Sequence, residues 1–170
     1  TATYPANVEP GSARLILNQD GTVHLMTGST EIGQGADTAF AQMASETLGV
    51  SFENIRVIST QDTDVTPWDT GAYASRQTYT CAPAVHAAAD ELRRKLLAYA
   101  GEMTGQFPAA LTIGPTPQGD AVVFVRSPET VLVTLRDLAM DTFYNKDRGG
   151  QLSAEASFKT RQNPPSFGGC

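Results

Sequence analysis

Cations, cysteines and long apolar runs are all scarce in these 170 residues. Only 12 Lys and Arg stand against 18 Asp and Glu, a formal charge of −6. Affinity for phosphate backbones comes from clustered cations, so a basic nucleic-acid binder is excluded. Two cysteines, Cys81 and Cys170, allow at most one bridge; that excludes a disulfide-framed secreted scaffold and favours a reducing, cytoplasmic setting. No stretch approaches the roughly 18–20 apolar residues needed to cross a bilayer, and the opening TATYPANVEP lacks the basic-then-apolar order of a signal peptide. Neither membrane insertion nor signal-led export is expected. His24, His86 and Cys81 do not follow a zinc spacing. There is no Gly-x-Ser-x-Gly, no His-Glu-x-x-His and no Cys-His pair at a known spacing, so nothing here supplies a self-contained nucleophile and base.

What is present reads as a globular chain with a core, at 41% hydrophobic and 18% charged residues, long enough for one domain or for two small subdomains, 11–105 and 106–170. It lacks an initiator Met and stops at Ser166-Phe167-Gly168-Gly169-Cys170, which leads us to expect a piece excised from a longer polypeptide. Ala13 to Leu17 and Thr22 to Thr27 are β-prone runs flanking Asn18-Gln19-Asp20-Gly21, the pattern of an antiparallel hairpin. Phe40, Met43, Ala44, Thr47 and Leu48 follow helical spacing and predict a helix over about 36–48, ended by Gly49. Ile55 to Thr60 reads as a strand, and Gln61 to Asp69 as a polar loop. A second helix is expected through Val85, Ala88, Ala89, Leu92, Leu96 and Tyr99, with Pro83 either harmless in its first turn or kinking its interior. Beyond a Gly-, Pro- and Thr-rich stretch from Gly101 to Gly119, a strand at Ala121 to Val125, a helix at Leu135 to Tyr144 and a last strand near Ser153 to Thr160 complete the order β-β-α-β-α, then β-α-β. That order specifies an α+β fold with helices packed on a mixed or antiparallel sheet.

Two segments have chemistry that a core does not need. Glu31-Ile32-Gly33-Gln34-Gly35 lies between a strand and a helix, where backbone amides and a helix N-terminus can hold an anion; the alternative is a tight turn without a ligand. A dinucleotide fingerprint is disfavoured, because Thr38 stands at its third glycine and the preceding strand belongs to a hairpin. In the following loop Asp62, Asp64 and Asp69 could ligate a hard cation, but they break the calcium-loop pattern, and a solvated turn or helix cap is the favoured reading. Thr70-Gly71-Ala72-Tyr73-Ala74-Ser75 is rich in small residues and would let a bulky ligand touch the backbone itself. Arg93-Arg94-Lys95 reads as a solvated helix face.

Taken together, Glu31-Ile32-Gly33-Gln34-Gly35 with its helix through Glu46 and Leu48, Asp62-Thr63-Asp64 with Pro67 and Asp69, Gly71-Ala72-Tyr73-Ala74-Ser75-Arg76, and Asn163-Pro164-Pro165-Ser166-Phe167-Gly168 resemble the molybdenum hydroxylases, the xanthine dehydrogenase and aldehyde oxidase family. The resemblance spans about residues 11–168 and points to the molybdopterin-binding part of the molybdenum subunit, so that 1–170 would be a partial domain. It implies that Ile32 to Gly35 and Thr70 to Ser75 touch the molybdopterin cofactor, in its cytosine dinucleotide form, from one side. Gln34 would hydrogen-bond it, Gly33 and Gly35 would give backbone access, and the Ala72 backbone would lie nearest the molybdenum, whose sulfur ligands come from the cofactor.

The resemblance further implies a parent oxidoreductase that hydroxylates a purine, aldehyde or N-heterocycle C–H bond with water as oxygen source and passes electrons through 2Fe–2S clusters to FAD. Its partners would be the remainder of the molybdenum subunit, the iron–sulfur and FAD subunits or domains, and a small-molecule substrate. Departures are visible. Cys81-Ala82-Pro83 stands where relatives often show Gly-Asn, and the Gly-Glu-Pro motif that carries the family's catalytic glutamate is absent from these residues, so no catalytic residue is expected here and the isolated chain should be inactive. The competing expectation is a non-catalytic module whose Gly-rich turns hold a phosphate-bearing ligand or a partner protein.

Overall fold

A computed structural model describes residues 10–58, 62–73, 75–126 and 129–160. Strict alternation builds its first sheet. In β1 (Gly11–Leu17) Ala13, Leu15 and Leu17 are buried while Arg14 is exposed, and they pair antiparallel with β2 (Val23–Thr27), Leu15 opposite Leu25 and Leu17 opposite Val23. The expected hairpin turn is there, with Gly21 N–H donating to Asn18 O at 3.0 Å. β7 (Ser153–Phe158) joins the far side of β1 antiparallel, and β3 (Ile55–Ile58) joins β2 in parallel, giving a mixed sheet in the order β3-β2-β1-β7. One expectation is corrected here. β2 does not serve a hairpin alone, because a central strand has two edges, and through α1 (Ala36–Leu48) it also forms a parallel β-α-β unit with β3.

Both long helices cover one face of this sheet. α2 (Ala82–Thr104) lies against β1 and β7, and α1 lies against α2 and β3. Phe40 and Leu48 of α1 and Val85, Leu92 and Leu96 of α2 are sealed from solvent, each contributing roughly 1.5–3 kcal/mol by burial. Gly49 ends α1 in the left-handed conformation, as expected. Arg93 departs from the solvated-face reading: it donates to Leu48 O and, at 3.0 Å, to Thr112 Oγ1, tying the end of α1 to the next sheet. Arg94, beside Asp90 and Glu91, does face solvent.

The second half holds more strand than the sequence reading allowed. β4 (Leu111–Pro115), β5 (Ala121–Arg126) and β6 (Glu129–Thr134) form an antiparallel sheet in that order, followed by α3 (Leu135–Tyr144). β4 is masked in the sequence by Gly114 and Pro115, which read as strand breakers. Pro115 sits at the strand's end, and a Cβ on Gly114 would lie 2.9 Å from the Phe124 ring, so the glycine makes room for an aromatic neighbour. β4, β5 and β6 form a sheet of their own, while β7, later in the chain, belongs to the first.

The parallel pair decides where a ligand can reach the chain. The segments after β2 and after β3 both leave from the carboxyl ends of adjacent parallel strands, the edge at which open sheets with parallel strands expose loop backbone. Glu31 shapes the first segment. Its carboxylate accepts from the N–H groups of Gly33 at 2.6 Å, Gly35 at 3.1 Å and Asp37 at 3.2 Å, closing the start of α1. The bond from Asp37, opposed by slight desolvation and reinforced by those from Gly35 and Gly33, holds this carboxyl below its ordinary 4.5.

Asp69 and Arg76 shape the second segment. Their side chains are both 0% exposed and meet at 2.6 Å. Arg76 also donates to Gly71 O at 2.8 Å and to Pro10 O at 2.9 Å, while Asp69 accepts from Gly71 N–H at 2.7 Å and from the Cys81 thiol at 3.1 Å. Gly28 makes the approach possible, since a Cβ there would stand 2.3 Å from Pro67 O. A π-helical turn, Gln77–Cys81, leads into α2. Pro83 lies in the first turn of α2 proper; it lacks an N–H and crowds the carbonyl four residues back, and it follows directly on that wide turn.

Two outcomes follow from these contacts. A carboxyl whose value is lowered on folding contributes stability that is complete above 4.5 and is lost as pH falls through the lower folded value. Glu31→Gln should therefore melt below the wild type at pH 7, and the gap should narrow as the pH falls below 4.5; a gap that stays constant down to the acid limit of folding would refute the cap. Burial, and next the negative Asp69, push the Cys81 thiol up to about 12, so native protein treated with iodoacetamide at pH 8 should show no alkylation on the Cys81 peptide, with full alkylation after denaturation.

Candidate functional site

The two segments face each other across one cavity of about 330 Å³. Ile32, Gln34 and Gly35 line it from the first turn, Ala72, Tyr73 and Ser75 from the second. Phe40 of α1 supplies its apolar floor, and Gln77 a polar wall that is only 7% exposed. The sequence had these turns 35 residues apart as separate candidates; the parallel β2–β3 pairing brings them together.

The two glutamines are locked to each other. Gln34 Nε2 donates to Thr30 O at 2.9 Å and to Gln77 Oε1, Gln34 Oε1 accepts from Ile32 N–H at 2.7 Å, and Gln77 Nε2 donates to Thr30 O at 2.8 Å. By valence this leaves Gln77 one amide hydrogen and Gln34 one oxygen lone pair beyond those bonds. Backbone access is also real. Gly33, Gly35 and Gly71 hold φ of +98°, +80° and +105°, and a Cβ on any of them would meet nothing within 4 Å. Glycine is needed there for conformation, and the space beside it is open.

Other expected residues fall out differently. Thr70 is exposed and lies off the cavity wall, its hydroxyl accepting from Tyr73 at a long 3.4 Å. Gly33 and Gly71 are not among the residues that line it. Ser75 adopts φ +58°, a left-handed conformation uncommon for a residue with a side chain. Ala74 and the Asn163 to Gly168 motif lie outside the described residues. The expectation that the first turn offers its amides to an external anion is corrected, because the Glu31 carboxylate, two residues away in sequence, already accepts from them. Asp69 is neither a cation ligand nor a solvated cap but half of the buried ion pair. Asp62 does make the expected turn, accepting from Asp64 N–H at 2.9 Å.

Gln77, Phe40 and Arg76 were not singled out as site residues. A signal for Gln77 existed: positions 77, 81 and 85 run along one helical stripe into the buried Cys81 and Val85, and a carboxamide at the head of an apolar stripe calls for a polar partner. Among the described residues, no three His, Cys, Asp or Glu side chains are grouped to hold a metal ion, and no helix is long and apolar enough to cross a membrane. The site therefore offers carboxamides, bare backbone and an aromatic floor.

Known proteins are similar to this chain in sequence and in fold. A xanthine dehydrogenase molybdenum-binding subunit of Escherichia coli O157:H7 is 55% identical over 166 residues, 98% of this chain and 22% of that protein, so the chain spans about a fifth of its relative. Among solved structures, the Cu,Mo-CO dehydrogenase in its carbon monoxide reduced state superposes with a TM-score of 0.71 at 24% identity, over 88% of this chain and 18% of that one. Quinoline 2-oxidoreductase from Pseudomonas putida 86 does so with 0.71 at 23%, over 91% and 20%. Both share the α+β fold. The family model of the molybdopterin cofactor-binding domain matches residues 1–169, and with nearly the whole sequence accounted for, this chain belongs to that family.

Proposed function

We propose that the cavity between the two turns is one wall of the molybdopterin site of a larger molybdenum hydroxylase. The observation that carries this reading is the meeting of Gln34–Gly35 and Ala72–Tyr73 around a single space. The residues suit the group: open space over Gly35, which lines the cavity, admits a bulky, flat ligand against the backbone, and an anionic cofactor is served by carboxamide donors already fixed in place. Gln77 would donate its remaining amide hydrogen, Gln34 would orient Gln77 and accept, and the Ala72 backbone would lie nearest the metal. A bound cofactor supplies the molybdenum, its sulfur ligands and the redox chemistry, while the polypeptide supplies orientation and exclusion of water.

On this reading the parent enzyme oxidises a C–H bond of a purine, aldehyde or N-heterocycle with water as oxygen source, and the 55% identical xanthine dehydrogenase subunit favours purines. The cofactor is the cytosine dinucleotide form; electrons leave through 2Fe–2S clusters to FAD, and the partners are the rest of the molybdenum subunit and the iron–sulfur and FAD subunits, in the cytoplasm. The general base lies outside residues 1–170, which form a partial domain built of segments around 11–105 and 106–170. The alternative, a non-catalytic module for a phosphate-bearing ligand, is not favoured: Glu31 takes the amides such a ligand would use, and the family match is to a cofactor-binding domain.

In the full-length protein, Gln34→Ala and Gln77→Ala should each lower molybdenum content or turnover about ten- to a hundred-fold, because a lost hydrogen bond to a charged group costs about 1.5–3 kcal/mol. The melting temperature of Gln34→Ala should stay near wild type, since Gln34 is exposed, while that of Gln77→Ala should fall, since Gln77 is buried and its loss leaves Thr30 O with one donor fewer. Full molybdenum and full activity in both variants would make the Gly-Gln-Gly turn structural and remove the site.

A further inference from the structure

The buried ion pair does more than its packing requires. Asp69 takes the Gly71 N–H and Arg76 takes the Gly71 carbonyl, so both hydrogen-bonding groups of one loop residue are held by the two ends of one salt bridge. On the other side of Ala72, the Arg76 guanidinium lies 5.9 Å from the centroid of the Tyr73 ring, and the backbone N–H of Arg76 separately donates to Tyr73 O at 3.1 Å. Ala72 is thus bracketed, with Gly71 before it held by both ends of the pair and the Tyr73 ring after it beside the guanidinium. The pair is anchored in turn from outside the loop, by Pro10 O on Arg76 and by the Cys81 thiol on Asp69.

An ion pair without solvent exposure is a poor stabiliser by itself, since desolvation offsets most of the attraction and apolar residues of like volume do as well or better. Something other than stability accounts better for its place. We propose that Asp69 and Arg76 are positioning residues that hold the Gly71–Tyr73 turn in cofactor-receiving geometry before the cofactor arrives; this rests on the reading that Ala72 faces molybdopterin. The principle is that of a bound metal group whose orientation depends on residues behind those that touch it, their removal costing about 10–100-fold in affinity or activity; Asp69 stands behind the turn, while Arg76 both holds Gly71 and lines the cavity.

The test uses the full-length protein with Asp69→Leu and Arg76→Met combined, a neutral pair of similar volume. We expect a melting temperature close to wild type with molybdenum content per protein reduced about 10–100-fold, a split that a purely structural role would not produce. Residue-resolved deuterium exchange on cofactor-free wild type should find the Gly71 amide protected, and the double variant should lose that protection. A folded double variant that retains full molybdenum while Gln34→Ala loses it would overturn the positioning role alone; retention in both would overturn the site reading instead. Should the double variant fail to fold, the wild-type exchange decides, because an unprotected Gly71 amide in the cofactor-free protein contradicts a turn set in advance.

Discussion

The contact between Asp69 and Arg76 is the constraint on which the site depends. Asp69 and Arg76 stand seven positions apart along the chain, and the small and turn-forming residues between them precede the helical turn at Gln77. Without a helix or strand to hold that loop, conformational entropy favours leaving it loose. A charged pair placed below the surface, hydrogen-bonded also to two backbone carbonyls, a backbone amide and a thiol, restrains the segment. The same arrangement makes it brittle: removing either partner leaves a buried charge, at a cost of about 3–5 kcal/mol.

The segment before α1 solves a similar problem with other means. Its positive-φ glycines leave amides pointing to one side, and the chain satisfies them with its own Glu31 rather than with an outside anion. Electrostatically the two walls of the cavity are therefore both closed before any ligand binds, one by a carboxylate on amides and one by a carboxylate on a guanidinium. What lines the space between them is mostly neutral, with two carboxamides, peptide backbone and the Phe40 ring, and its cation, Arg76, is paired with Asp69. For a cofactor that brings its own metal and its own charge, neutral oriented donors are the chemistry that discriminates by shape and hydrogen bonding without shifting the metal's electronics through a nearby unpaired ion.

Much of the frame was legible because period and burial coincide. The hairpin, α1 at 36–48, α2 and α3 all follow from apolar spacing, and the ends at Gly21 and Gly49 follow from turn and cap chemistry. The Gly-Gln-Gly turn and the small-residue turn stood out because no core asks for them. The failures are of another kind. β4 was hidden by Gly114 and Pro115, whose tolerance depends on Phe124 and on the strand's edge, neither of which is a local property. Asp69 read as a solvated turn residue and Arg76 as the tail of a motif, because a pairing seven residues apart across an irregular loop has no periodic signature. Gln77 was passed over since a glutamine at the head of a helix is unremarkable until its partner, 43 residues earlier, is brought beside it by the parallel strands.

The central claim is that Gln34, Gln77 and the Ala72 backbone jointly border bound molybdopterin. The most direct measurement is the crystal structure of the full-length protein loaded with its cofactor. The account predicts cofactor density in the cavity between α1 and the Gly71–Tyr73 turn, with the Gln77 amide donating to it and the Gly71 peptide still held by Asp69 and Arg76. Density for the cofactor elsewhere, with Gln34 and Gln77 bonded only to each other and to Thr30, would contradict it.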